Sequence, residues 1–122
     1  MSWWTWAMGF VAGAVLASYL TLSCAVGHTQ SPEVAAAIHQ AASTYGVSEA
    51  WMRKIARCES SYLPWVTSRG GHMGLYQYAR RTWDWMSWQA GYGGTSPYDP
   101  WSASMVTAWA LARGYAGHWA CR

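Results

Sequence analysis

Charge is what this chain has least of. Only 11% of its 122 residues are Asp, Glu, Lys or Arg, and none of these falls between Met1 and Pro32. Phe occurs once, against 11 Trp and 8 Tyr. No stretch keeps the two-residue alternation of a strand, and neither an internal repeat nor a low-complexity run occurs. Each absence excludes something. With 52% hydrophobic and 16% aromatic residues, the chain has too much to bury for general disorder. The formal charge of +3 is scattered from Glu33 onward and gives no basic stripe, so no nucleic-acid partner is expected. The length allows one domain, and without strand patterning its class is all-α.

The uncharged stretch Trp6 to Val26 is mostly apolar and lies between two cases. A bilayer-spanning helix needs about 20 such residues, and a secretory apolar region roughly 7–15. Ser23 and Ala25 offer a cleavage signature after Ala25, and Ala25 with Gly27 a second. Met1 to Thr5 has no Lys or Arg, which counts against a signal peptide and makes a retained anchor, with Trp3, Trp4 and Trp6 at the interface, the runner-up to a cleaved signal. Lipidation at Cys24 is disfavoured by Thr21, which stands where an aliphatic residue is needed. The expected division is 1–27 as signal peptide or membrane anchor and 28–122 as the working domain. Either way the domain is exported, to the cell envelope or beyond. Any membrane contact runs through residues 6–26, and the domain is expected to act as a monomer.

Setting Cys24 aside leaves Cys58 and Cys121, an even pair suited to a disulfide in an oxidising compartment. The alternative is two reduced, buried thiols. The four histidines, His28, His39, His72 and His118, show no i, i+3 or i+4 spacing, so no metal site and no cofactor are expected.

Helix signals punctuate the domain. Ser31-Pro32-Glu33 reads as cap, first-turn proline and first-turn acid, and Gly46 as a stop. Ser48-Glu49 opens a second helix, in which Met52, Ile55, Ala56 and Glu59 share one face. Glu59 is then a carboxylate on the core stripe and near the negative, carbonyl end of a helix, an unfavourable place for an anion. Ser60 to Met73 reads as loop. Thr82 is a candidate cap for a third helix running to Gly91, and Asp99-Pro100 opens a fourth that ends before Gly114.

Ala41 to Trp83 resembles the lytic transglycosylase SLT domain of the lysozyme-like superfamily. The marks agree in order: the Tyr45-Gly46-Val47 turn, a helix ending in Glu59-Ser60, Ser68 in the next loop, Gly74-Leu75-Tyr76-Gln77, and Thr82-Trp83. Cys58 before the Glu and the closing Trp119-Ala120-Cys121 are more similar to the resuscitation-promoting-factor branch. The resemblance implies a small goose-type, SLT-like helical domain that cleaves the MurNAc–GlcNAc bond of peptidoglycan glycan strands.

Breaking a glycosidic bond needs an acid that still carries its proton at working pH, as a Glu in an apolar pocket can. The resemblance gives Glu59 that role, and then the role of base toward the muramyl 6-hydroxyl, closing a 1,6-anhydro ring. It implies that Gly74 and Leu75 bring backbone close to the sugar. Gln77 would bind substrate or orient the acid, and Ser68 would lie near the N-acetyl group. Thr82 is a further substrate-binding candidate. Tyr76, Tyr78 and some of Trp65, Trp83, Trp85, Trp88 and Trp101 offer faces for stacking on sugar rings; the helical spacing of Trp83 and Trp109 favours core for these two. Two positions depart from the family pattern: His72 follows Gly71 where a small residue is usual, and only Tyr115 stands for the family's C-terminal tyrosine motif.

Two rival readings share this fold. One is a muramidase with a second carboxylate, for which Asp84 and Asp99 are the only downstream acids. The other is a non-catalytic glycan-binding or scaffold domain, for which a Glu at position 59 has no use.

Overall fold

A computed structural model describes residues 30–122. The export or anchor segment expected over 1–27, and the boundary at residue 28, lie outside the described residues. Among the described residues no helix is long and apolar enough to cross a membrane.

Four helices carry the fold: α1 (Pro32–Tyr45), α2 (Glu49–Ser60), α3 (Arg80–Ala90) and α4 (Pro100–Ala112). A 3-10 turn, Ala116–His118, follows. The expected caps set three of the four starts. The Ser31 hydroxyl accepts from the Val34 N–H at 3.2 Å, Ser48 from Trp51 at 3.2 Å, and the Asp99 carboxylate from Ser102 at 3.0 Å. Gly46 closes α1 at φ 67, a left-handed conformation that costs a glycine little.

The third helix begins differently from expectation. It starts at Arg80 after Ala79, which gives no side-chain cap, so Thr82 sits inside the first turn and caps nothing. With no capping side chain, the true start left no mark in the sequence.

α4 is the centre of the molecule. Eleven of its 13 residues are buried, from Pro100 to Leu111, so it must be covered on every side. α1 packs along it, α3 packs against it, and α2 packs on α1. Small residues (Ala103, Ser104, Thr107, Ala108 and Ala110) make up much of its buried surface. The facing stripe of α1 is Val34, Ala37, Ile38, Ala41 and Ala42, spaced by three and four. Truncating a residue such as Ile38 to Ala would cost about 2–5 kcal/mol.

The link between α2 and α3 holds the surprises. Ser61 and Tyr62 both adopt left-handed backbone, at φ 53 and 64, so the chain turns sharply as soon as α2 ends. Met73 and Tyr78 then exchange two backbone hydrogen bonds of 2.9 Å, and the Gly74 N–H reaches the Val66 carbonyl at 2.8 Å. Isolated bridges of this kind, Thr67 with Met73 and Met73 with Tyr78, replace the featureless loop that the sequence suggests. They fold Gly74–Gln77 inward against α4. A Cβ on Gly74 would stand 2.0 Å from the Pro97 carbonyl oxygen, and its φ is +77, so only glycine fits there.

Candidate active site

Glu59 is the penultimate residue of α2, and both its neighbours are tied down. Cys58 forms a disulfide with Cys121, their Cα atoms 5.9 Å apart. Ser60 is buried and donates its hydroxyl hydrogen to the Leu75 carbonyl at 2.8 Å. Leu75 is two residues from Gln77, and Cys121 two residues from Trp119. The helix end bearing Glu59 is therefore fastened to the two chain segments that supply walls of a cavity, although Glu59 itself is not among the residues that line it.

That cavity has a volume of about 150 Å³ and is lined by His72, Gln77, Tyr78, Thr82, His118 and Trp119 among others. Gln77 is held in left-handed backbone at φ 54, uncommon for a residue with a side chain and frequent at functional sites. Its amide nitrogen donates to the Gly74 carbonyl at 2.9 Å, which leaves the amide oxygen to accept from a bound hydroxyl or amide. The Trp119 indole N–H donates to the Tyr76 carbonyl at 3.0 Å, fixing the opposite wall.

The structure groups Gln77 and Thr82 of the expected site residues at this cavity; Glu59 is not among its lining residues. Ser68 is exposed, and its hydroxyl accepts from the N–H of His72, so it braces the turn that carries His72 to the cavity edge. Glu59 is half-buried rather than sunk in the core as its helical face suggested; Ser60 is the buried residue at that helix end.

Two expectations about aromatic rings are corrected. Tyr76 is 0% exposed and has no face to offer a sugar. Tyr78 is also buried, flanked edge-to-face by Trp83 at 5.1 Å and Trp119 at 5.7 Å, and its hydroxyl meets that of Thr107 at 2.7 Å. Burial pushes both phenols well above the usual tyrosine range, so they remain neutral. The Leu75 side chain is likewise in the core, so of the Gly74–Gln77 segment only Gln77 lines the cavity. Trp83 is core as well, its N–H donating to the Thr95 carbonyl at 3.0 Å.

A family model of the transglycosylase SLT domain matches residues 36–118. The chain belongs to that family. None of the curated proteins compared with the chain matches it. At the level of the family, an SLT domain is a lytic-transglycosylase-type enzyme of the lysozyme-like superfamily that acts on peptidoglycan. The match spans α1 to the 3-10 turn, so it takes in Glu59 and the cavity wall as far as His118.

Two residues that line the cavity, His118 and Trp119, had no role in the sequence reading of the site. The one signal pointing to them was Cys121: paired with Cys58, it brings the chain's last turn beside Glu59.

Proposed function

We propose that this SLT domain cleaves the β-1,4 bond between MurNAc and GlcNAc, with Glu59 as general acid and then as base, outside the cytoplasm. The observation that carries the reading is the isolation of Glu59 from other carboxylates. Among the described residues, Glu49 is engaged by Arg53 and His39, Asp84 pairs with Arg80, Asp99 caps α4, and Glu33 is exposed in the first turn of α1. A two-carboxylate hydrolase needs a second acid across the scissile bond. A single carboxylate suits a reaction in which the substrate supplies its own nucleophiles.

The steps then balance without water. The Glu59 carboxyl gives its proton to the bridging oxygen as the C1–O bond breaks, and GlcNAc leaves as an alcohol. The N-acetyl carbonyl oxygen of MurNAc bonds to C1 and holds the cation as an oxazolinium ion. The Glu59 carboxylate next takes the proton of the 6-hydroxyl, whose oxygen bonds to C1 and expels the acetamido oxygen. A 1,6-anhydro ring forms and Glu59 regains its proton. Gln77 and Thr82 would hold the sugar against this carboxyl.

Purified full-length chain should solubilise peptidoglycan and release muropeptides that are one water lighter than hydrolytic products, read by mass spectrometry. Glu59→Gln should lower the rate at least about 10²-fold. Equal lysis by both proteins would remove Glu59 from the mechanism. Reducing-end products would make the enzyme a muramidase, and absence of lysis by either would leave a glycan-binding domain.

A further inference from the structure

From His118 at the cavity wall a chain of aromatic rings continues outward. The His118 ring lies 6.2 Å from that of Tyr115, and Tyr115 lies 5.7 Å from Trp85. Trp85 stands three residues after Thr82 on α3, hence on the same helix face and about 4.5 Å further along the axis. Two independent paths, one along α3 and one through the 3-10 turn, thus run from the cavity to the same indole. Trp85 is 47% exposed, whereas Trp109 behind it is buried and carries the Arg113 guanidinium 5.0 Å from its ring centre.

The packing holds this indole while leaving about half of the residue exposed. Trp85 meets Tyr115 at 80° and Trp109 at 66°, both edge-to-face. The three ring separations, 5.7, 6.5 and 5.9 Å, make a nearly equilateral triangle, so both neighbours lie to one side of Trp85. A broad flat ring, fixed by two others and half exposed, suits the apolar face of a pyranose.

We propose that Trp85, backed by Tyr115 and Trp109, is a distal sugar subsite that binds the glycan strand where it leaves the catalytic cavity. The inference rests on the glycan-groove reading given above. It makes the enzyme select for strand length: a short strand held at the cavity leaves the indole free, and a longer strand also reaches it. Trp85 takes no part in bond cleavage.

The test uses the full-length chain carrying Glu59→Gln, so that strands are not consumed, with peptide-free MurNAc–GlcNAc oligomers of one and of four disaccharides. Calorimetry should show the long oligomer binding more tightly. Adding Trp85→Ala should weaken the long oligomer about fivefold to tenfold, the worth of one aromatic contact, and leave the short one unchanged. Trp85→Tyr should keep most of the difference. A second readout avoids substitution at the site: in 5-fluorotryptophan-labelled protein, the Trp85 resonance, assigned by its loss in Trp85→Phe, should shift with the long oligomer only. Binding of both lengths with no Trp85 response overturns the subsite and spares the groove. Failure of both lengths to bind overturns the groove reading and the subsite with it.

Discussion

Ser60 and Leu75 are 15 residues apart, yet the Ser60 hydroxyl lies 2.8 Å from the Leu75 carbonyl oxygen with both residues buried. The same hydroxyl is 3.0 Å from the Ala56 carbonyl within its own helix. A hydroxyl has one hydrogen, and the shorter contact joins the end of α2 to the segment leading to Gln77. This joint ties the helix end that carries Glu59 to the chain that leads into the cavity wall. Ser60→Ala leaves a buried carbonyl without its donor and should cost about 1–3 kcal/mol in a denaturant titration. Because Ser60 positions Glu59 and touches no substrate, kcat on peptidoglycan should fall more than KM rises. Unchanged kcat would remove Ser60 from the positioning of Glu59.

The disulfide closes a long loop, with a sequence separation of 63. Loop entropy for that length gives about 4 kcal/mol of stabilisation. The variant with Cys58→Ser and Cys121→Ser should melt well below the parent, and a reducing agent should bring the parent to the same melting temperature. A reductant-insensitive melt would show that the bridge contributes nothing.

Gly74 has no room for a methyl group. Gly74→Ala should destabilise the fold by at least about 2 kcal/mol, since it combines overpacking against Pro97 with a left-handed backbone. Gly71 makes the control: it has a positive φ of 82 but nothing within 4 Å of its would-be Cβ. Gly71→Ala should therefore cost less. Equal losses at the two positions would mean that backbone conformation, not the Pro97 contact, sets the cost.

Alkaline pH should unfold the domain through its tyrosines. Burial, and then the hydroxyl of Tyr45, push Tyr92 up to about 12, and burial carries Tyr76 and Tyr78 higher still. An unfolded tyrosine ionises near 10. These three phenols therefore favour the folded state fully below about pH 10, and their contribution is lost as pH rises through 12 and beyond. Tyrosinate absorbance should show three late tyrosines, with those of Tyr76 and Tyr78 appearing together with loss of near-ultraviolet dichroism. All eight ionising together near pH 10 in the native protein would contradict this.

Much of the fold was legible because its helices announce their ends locally. Ser31-Pro32, Gly46, Ser48 and Asp99-Pro100 act through bonds to residues three or four away, which a sequence can display. The start of α3 was not legible: Ala79 has no capping side chain, and Thr82 offered a false one. The burial of Tyr76 and Tyr78 was hidden for another reason. Their segment has no helical or strand period, and it is drawn inward by distant partners: Ser60, Pro97, Thr107 and Trp119. Glu59 was found through its motif and its awkward position at a helix end. The cavity required knowing where residues 118–121 return.

The bridge between Cys58 and Cys121 has a topological consequence. It makes a single covalent ring of the chain between them, and the ring contains Glu59 and every residue that lines the neighbouring cavity. A protease that cuts one exposed loop within it, for instance at Arg69, breaks the backbone but frees no fragment. Such a nicked molecule would migrate as one species without reductant and as two with it.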